Sequence, residues 1–263
     1  MSELSKKLRR NIIEAIYNAG SGHPGGSLSA IDIITALYFY KMRYDPKNPK
    51  WPERDRFILS KGHGCPALYV ALAEAGFFPR EELKTLRRLG AMLQGHPSNE
   101  TPGVEISGGS LGQGLSVANG IALAGTLDNK DYHVYVLLGD GELQEGNVWE
   151  AAMTAAKYKL DNLTAIIDRN GLQQTAPTEQ NKPLDPLSPK WQAMGWHTIE
   201  INGHDMQEII TALDGATGIK DKPTVIIANT VKGKGVSFME NSVEWHGRAP
   251  NREEYEKAMK ELA

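Results

Sequence analysis

Four short apolar runs stand out in the second half of the chain: "YHVYVLL" (132–138), "LTAIID" (163–168), "HTIEI" (197–201) and "TVIIANT" (224–230). Each is rich in β-branched and aromatic residues and is bounded by turn formers, which predicts strands. The stretches between them carry a different period. "LQEGNVWEAAMTAAKYK" and "DMQEIITALDGAT" repeat apolar residues every three or four positions, the spacing of a helix with one buried face. Strands alternating with helices predict an α/β fold, a parallel sheet flanked by helices on both faces. The first half reads as helical. Leu4, Leu8, Ile12, Ile13 and Ile16 fall on one stripe. Ser29 and Asp32 resemble a capping box ahead of "IITALYFY" and predict a helix over 29–42. "PALYVALAEAG" reads as a helix ending at Gly76, and "PREELKTLRRLG" as another over 79–89. "RYDPKNPKWPERD", with three prolines, reads as loop.

Composition narrows the class. A chain of 263 residues suits one large domain, 1–263. With 40% hydrophobic and 23% charged residues and a net charge of -3, it has the make-up of a soluble globular protein and no basic excess for nucleic acid. No apolar run approaches the ~18 residues of a membrane span, and the N-terminus lacks a secretory signal. The single cysteine, Cys65, excludes an internal disulfide and fits a reducing cytoplasm; free cysteines are usually buried, so it reads as a small packing residue.

The chemistry gathers where the predicted strands end. Ligands of parallel α/β sheets bind beyond the carboxyl ends of strands. Gly139-Asp140-Gly141 stands at one such end and Asp168-Arg169-Asn170-Gly171 at the next. A carboxylate and an amide oxygen are hard donors of the type that Mg²⁺ or Ca²⁺ takes, and Mn²⁺ accepts them too. Gly139 and Gly141 let a phosphate approach the backbone, and the following helix would offer N-terminal amides to an anion. Alone, Gly-Asp-Gly reads equally well as a strand-to-helix turn. The asparagine one helix and one strand later is what favours a metal and a diphosphate. A dinucleotide fold is a weaker reading, because Val117 occupies the third glycine position after Gly112 and Gly114.

Four histidines share one setting: His23 in "SGHPGGS", His63 in "SKGHGCP", His96 in "LQGHPS" and His246 in "EWHGRAP". Any one of them could be a turn histidine. Four beside glycine, able to donate to sugar or phosphate oxygens and to move protons near neutral pH, point to a common site. His133, His197 and His204 lack that setting and read as structural or exposed.

In order, "SGHPGGSLS", "SKGHG", "QGHPS", "GGSLGQGLSVANG", "GDGELQEG", "DRNGLQ", "VKGKGVSF" and "WHGRAP" resemble the N-terminal half of a transketolase over nearly the whole chain. The resemblance implies a thiamine diphosphate-binding (PP domain) fold. It implies a metal held by Asp140, Asn170 and the carbonyl of Leu172, with Arg169 replacing an asparagine common in the family. It places His63, Gly141 and His246 on the diphosphate, with Gly139 beside them, and Gly109 and Leu111 along the cofactor's rings. His23, His96 and His246 would face the sugar, and Glu145 would join a carboxylate pair across a subunit interface. Glu142 falls where relatives carry Cys or a small residue and receives no role. The family's second half supplies a pyrimidine domain and an activating glutamate, so the chain resembles the N-terminal subunit of a split transketolase acting on sugar phosphates. Its partner would be a C-terminal subunit, with two copies of each chain. The helix over 143–157 would form the interface, offering Val148, Trp149, Ala152 and Met153. A deoxyxylulose phosphate synthase, a transketolase for an unusual sugar and a non-catalytic cofactor binder are the alternatives; His-Pro pairs at His23 and His96 favour transketolase over the synthase.

Overall fold

In the computed structural model, which describes residues 1–263, strands β1 (Arg56–Leu59), β2 (Val134–Gly139), β3 (Leu163–Arg169), β4 (His197–Asn202) and β5 (Thr224–Asn229) form one sheet. All pairs are parallel and the order is β1-β2-β3-β5-β4. Four of these strands lie where the apolar runs predict them. The fifth, "RFIL", is so short and so close to the proline-rich stretch that no periodicity announces it.

Alternation along the strands sorts side chains onto two faces. Tyr135, Leu137, Ile166 and Ile226 pack with helices α1 (Ser2–Ala19), α2 (Pro24–Ala36), α3 (Cys65–Ala75), α8 (Met206–Gly218) and α9 (Arg252–Glu261). Val134, Val136, Leu138, Ala165 and Ile167 pack with α4 (Gln113–Leu127), α5 (Gly146–Lys157) and α7 (Leu187–Ala193). A one-turn helix, α6 (Thr178–Asn181), lies between β3 and α7. The α1 stripe is buried as its spacing predicts, with Leu8, Ile12, Ile13 and Ile16 all at 0% exposure. Each such side chain contributes roughly 1.5–3 kcal/mol of hydrophobic burial. No helix is long and apolar enough to cross a membrane.

Several local expectations are corrected. Helix α2 starts at Pro24 with His23 before it, because proline suits the first helical position. Ser29 therefore lies inside the helix and hydrogen-bonds Asp168 (2.6 Å), while Asp32 pairs with Arg9. Residues 79–89 form only a 3₁₀ turn over Arg80–Thr85, and Arg87 takes a left-handed backbone (φ 63°) that no helix accommodates. The glycine-rich run contains helix α4, which its glycines hide. After Gly141 the chain makes a 3₁₀ turn to Gln144, turns extended at Glu145, and only then enters α5. Val148 and Ala152 face the core at 0% exposure and Trp149 is half-buried against Trp191, so of the four only Met153 stands on the outer face of α5.

Candidate functional site

Gly139 and Asp168 are register partners on β2 and β3, so Asp140 and Asn170 leave adjacent strands at the same level. With the Leu172 carbonyl's residue they line one cavity of about 480 Å³ beyond the strands' carboxyl ends. Asp140 is buried and accepts hydrogen bonds from the amides of Gly141 (2.7 Å) and Gly171 (2.6 Å). Asn170 Oδ1 accepts from the Leu172 amide at 3.1 Å. Burial, with Asp168 close by, raises the Asp140 carboxyl from 3.8 to about 6. A carboxylate pushed up by desolvation is one that a cation stabilises. Carboxylate, amide oxygen and main-chain carbonyl are together a hard-oxygen set, so these residues fit a divalent cation such as Mg²⁺.

Two lysines that sequence patterns pass over as surface residues are buried here. Lys232 Nζ donates to the carbonyls of Leu172 (3.0 Å) and Gln173 (3.2 Å) and meets His246 Nδ1 at 2.9 Å. Burial lowers its ammonium from 10.5 to about 8. Lys61 Nζ pairs with Asp168 and donates to the Gly26 carbonyl at 3.0 Å. Both lysines line the cavity and give it the positive charge that a diphosphate needs. Glu142 is buried too, and it fixes the walls. Its carboxylate accepts from Ser60, from the Gly112 amide (2.7 Å) and from the Gly139 amide (3.0 Å), tying the ends of β1 and β2 to the start of α4. Nothing in the spacing of "GDGE" reveals that position.

The four loop histidines converge. Ring centroids of His23 lie 5.4 Å from His63, 5.5 Å from His246 and 6.4 Å from His96, and His63 lies 5.1 Å from His246. His63 and His246 line the cavity; His23 follows, then His96. Burial drives His23 from 6.5 to about 4 and His246 to about 3, and it depresses His63 and His96 as well. All four are neutral at pH 7. The ammonium on His246 Nδ1 makes that nitrogen an acceptor and leaves the proton on Nε2. Gly109 lies against His96, where an added Cβ would stand 3.7 Å from the ring, and Leu111 lines the cavity. Glu145 is exposed at its rim. Away from the site, His133 is held by Thr164 (2.8 Å) and His204 by Asp32 (2.8 Å), as structural histidines. Cys65 is buried, with its thiol pushed up to about 12.

These histidines set the acid limit of stability. Their folded values lie below 6.5, so the unfolded chain takes up protons first; stability is complete above about pH 6.5 and falls toward pH 4. Asp140 opposes this between about 6 and 3.8, and Glu142 and Glu105, also raised by burial, act with it, but these three carboxyls stand against five lowered histidines. The expected result is a Tm lower by roughly 5 °C or more at about pH 5 than at about pH 7.5. A flat calorimetric Tm across that range would contradict the burial of neutral imidazoles.

Fold and site define a class: a parallel α/β domain whose strand ends open into a cavity lined by hard-oxygen groups and two buried lysines, with a histidine row beside it. The model of the transketolase thiamine diphosphate-binding domain matches residues 2–263, and the chain belongs to that family. It is 48% identical over 259 residues to one of the subunits of the apulose-4-phosphate transketolase of Phocaeicola vulgatus, covering 98% of this chain and 92% of that one. It is 47% identical over 256 residues to the 6-deoxy-6-sulfo-D-fructose transketolase subunit SqwG of a Clostridium species, covering 97% and 93%. Human transketolase is 43% identical over all of this chain, which spans 42% of its length. Among solved structures, the Pichia stipitis transketolase complex with sedoheptulose-7-phosphate superposes with a TM-score of 0.95 at 34% identity, covering 99% of this chain and 40% of that one.

Proposed function

We propose that this chain is the N-terminal subunit of a two-chain transketolase, moving a two-carbon ketol unit from a ketose to an aldose. The supporting observation is the joining of a hard-oxygen site to four neutral histidines on a chain that matches subunit relatives over 92% and 93% of their lengths. In this reading Asp140, Asn170 and the Leu172 carbonyl hold Mg²⁺. His63, Gly139, Gly141 and His246 hold the diphosphate, joined by Lys232. Gly109 and Leu111 border the cofactor's rings. When bound, thiamine diphosphate supplies the electron sink that allows a carbon–carbon bond beside a ketone to break. His23 and His96, each offering one donor and one acceptor, orient the sugar hydroxyls and move protons at them. Glu145, at the rim, faces a neighbouring subunit. The partner chain supplies the pyrimidine half, in an assembly with two copies of each. Two relatives are named for sugars bearing an anionic group, apulose-4-phosphate and 6-deoxy-6-sulfo-D-fructose. The substrate class proposed here is accordingly a ketose carrying a terminal oxyanion.

The metal assignment is tested by Asp140→Ala. Because this carboxylate acts through the cation, Mg²⁺ and thiamine diphosphate should weaken together in calorimetry, by more than the roughly 10- to 100-fold that loss of a supporting group costs a metal site. Unchanged cofactor affinity in the variant would sink the assignment.

A further inference from the structure

His204 stands away from the cavity, yet both of its ring nitrogens are engaged. Nδ1 meets the Asp32 carboxylate at 2.8 Å, and Nε2 accepts from the Val231 amide at 2.8 Å. An amide can only donate, so Nε2 carries no proton. The ring is neutral, with its hydrogen on Nδ1 toward Asp32. Asp32 is 5% exposed and is held from its other side by Arg9 Nη1 at 3.1 Å. Burial would raise the Asp32 carboxyl; the hydrogen bond from His204 and the charge of Arg9 outweigh it and hold the group below its ordinary value.

Val231 begins the segment that carries Lys232 past the end of β5. The Thr230 amide bonds the Arg169 carbonyl (3.1 Å), and the Gly233 amide bonds that of Gly25 (3.0 Å). The Val231 amide has no main-chain acceptor, and His204 takes that place. Arg9, behind Asp32, also donates from Nε to the Lys234 carbonyl at 3.1 Å. One row of side chains, Arg9, Asp32 and His204, therefore grips the segment on both sides of Lys232. A lysine needs such a grip. Its ammonium rides on a flexible four-carbon stem, so it is aimed only where its backbone is fixed. Lys232 is 2% exposed and is aimed at the Leu172 and Gln173 carbonyls and at His246 Nδ1.

We propose that His204 is a positioning residue for the diphosphate end of the cavity. Through the Val231 amide it fixes Lys232, and through Lys232 it fixes the tautomer of His246. A neutral imidazole suits this task because it donates at one nitrogen and accepts at the other. A protonated ring would set a second donor against the Val231 amide. The diphosphate itself rests on the functional reading above; the path from His204 through Lys232 to His246 does not.

The experiment uses the full chain with ¹⁵N-labelled histidines, at about pH 7.5. In the native chain His204 should carry its proton on Nδ1 alone and His246 on Nε2 alone. His204→Leu removes both ring bonds, and His204→Gln keeps an acceptor for Val231. The leucine variant is expected to shift the ring nitrogens of His246, and the glutamine variant to return them most of the way. Inorganic diphosphate with excess Mg²⁺ is the ligand probe, followed by calorimetry. His204→Leu should weaken it roughly tenfold, the lower end of what loss of a supporting group costs a metal site, and His204→Gln should recover most of that loss. Melting temperatures check that both variants fold, and the native ring spectrum stands as a test without either. A native chain that binds no diphosphate counts against the functional reading, and the His246 signals then decide the inference alone. A proton on Nε2 of native His204, or His246 signals unmoved by His204→Leu, would overturn the proposal.

Discussion

Given saturating Mg²⁺, thiamine diphosphate, a ketose donor and an aldose acceptor, this chain alone is expected to show no ketol transfer, and its C-terminal partner to restore it. The reason lies in what the cavity's walls contain. In the proposed function histidines, lysines, Asp140 and Asn170 serve the diphosphate and sugar ends, and the resemblance to transketolases assigns the glutamate that activates the cofactor to the other half. General acid–base groups are worth roughly 10²- to 10⁴-fold each, and a missing half removes positioning as well. Glu145, exposed at the rim, and Met153, 56% exposed on the outer face of α5, are the surfaces that the partner should cover. Light scattering should find two copies of each chain in the active assembly. Turnover by the isolated chain at a rate near that of the complex would refute the split-enzyme reading.

The second large effect is structural. Lys61→Met is expected to destabilise the chain by roughly 3–5 kcal/mol, because it leaves a buried carboxylate without its countercharge. Lys61 is 1% exposed and Asp168 0%. Burial alone would raise the Asp168 carboxyl; Lys61, Ser29 and Thr230 outweigh it and hold the group below its ordinary value. Urea unfolding with linear extrapolation measures the loss. Adding Asp168→Asn to the lysine variant should recover part of it. A cost under about 1 kcal/mol, typical of exposed pairs, would show that this one carries no structural load.

Sequence and structure agree best where one signal acts alone. β2, β3, β4 and β5 were legible because buried strands need contiguous apolar residues, and Asp140 and Asn170 because the strand ends frame them. The histidine row was legible through its repeated glycine neighbours. What stayed hidden depends on distant partners. Lys61 and Lys232 look like surface lysines in "SKGHG" and "VKGKG", and only Asp168 and the Leu172 carbonyl, far along the chain, explain their burial. Glu142 looks idle until Ser60, Gly112 and Gly139 arrive around it. Ser29 misleads because a residue suited to capping is also suited to reaching a buried carboxylate from inside a helix.

Asp168 has a consequence for how the molecule opens. It takes hydrogen bonds from Ser29 on α2, Lys61 after β1, Thr230 after β5 and its own neighbour Asn170. Four segments are tied to one atom group, so none can swing out while the others stay. The floor of the cavity should therefore have no local melting of its own, and the amides of Gly139, Gly141 and Gly171 should exchange with solvent hydrogen only through global unfolding. The outer wall is different. Main-chain bonds shape the 171–182 segment, but only side-chain bonds among Gln144, Gln173, Asn181 and the Lys182 carbonyl tie it to the turn after Gly141. Those ties can break singly, so this wall is expected to open faster than the floor, and its amides to exchange sooner than those of Gly139.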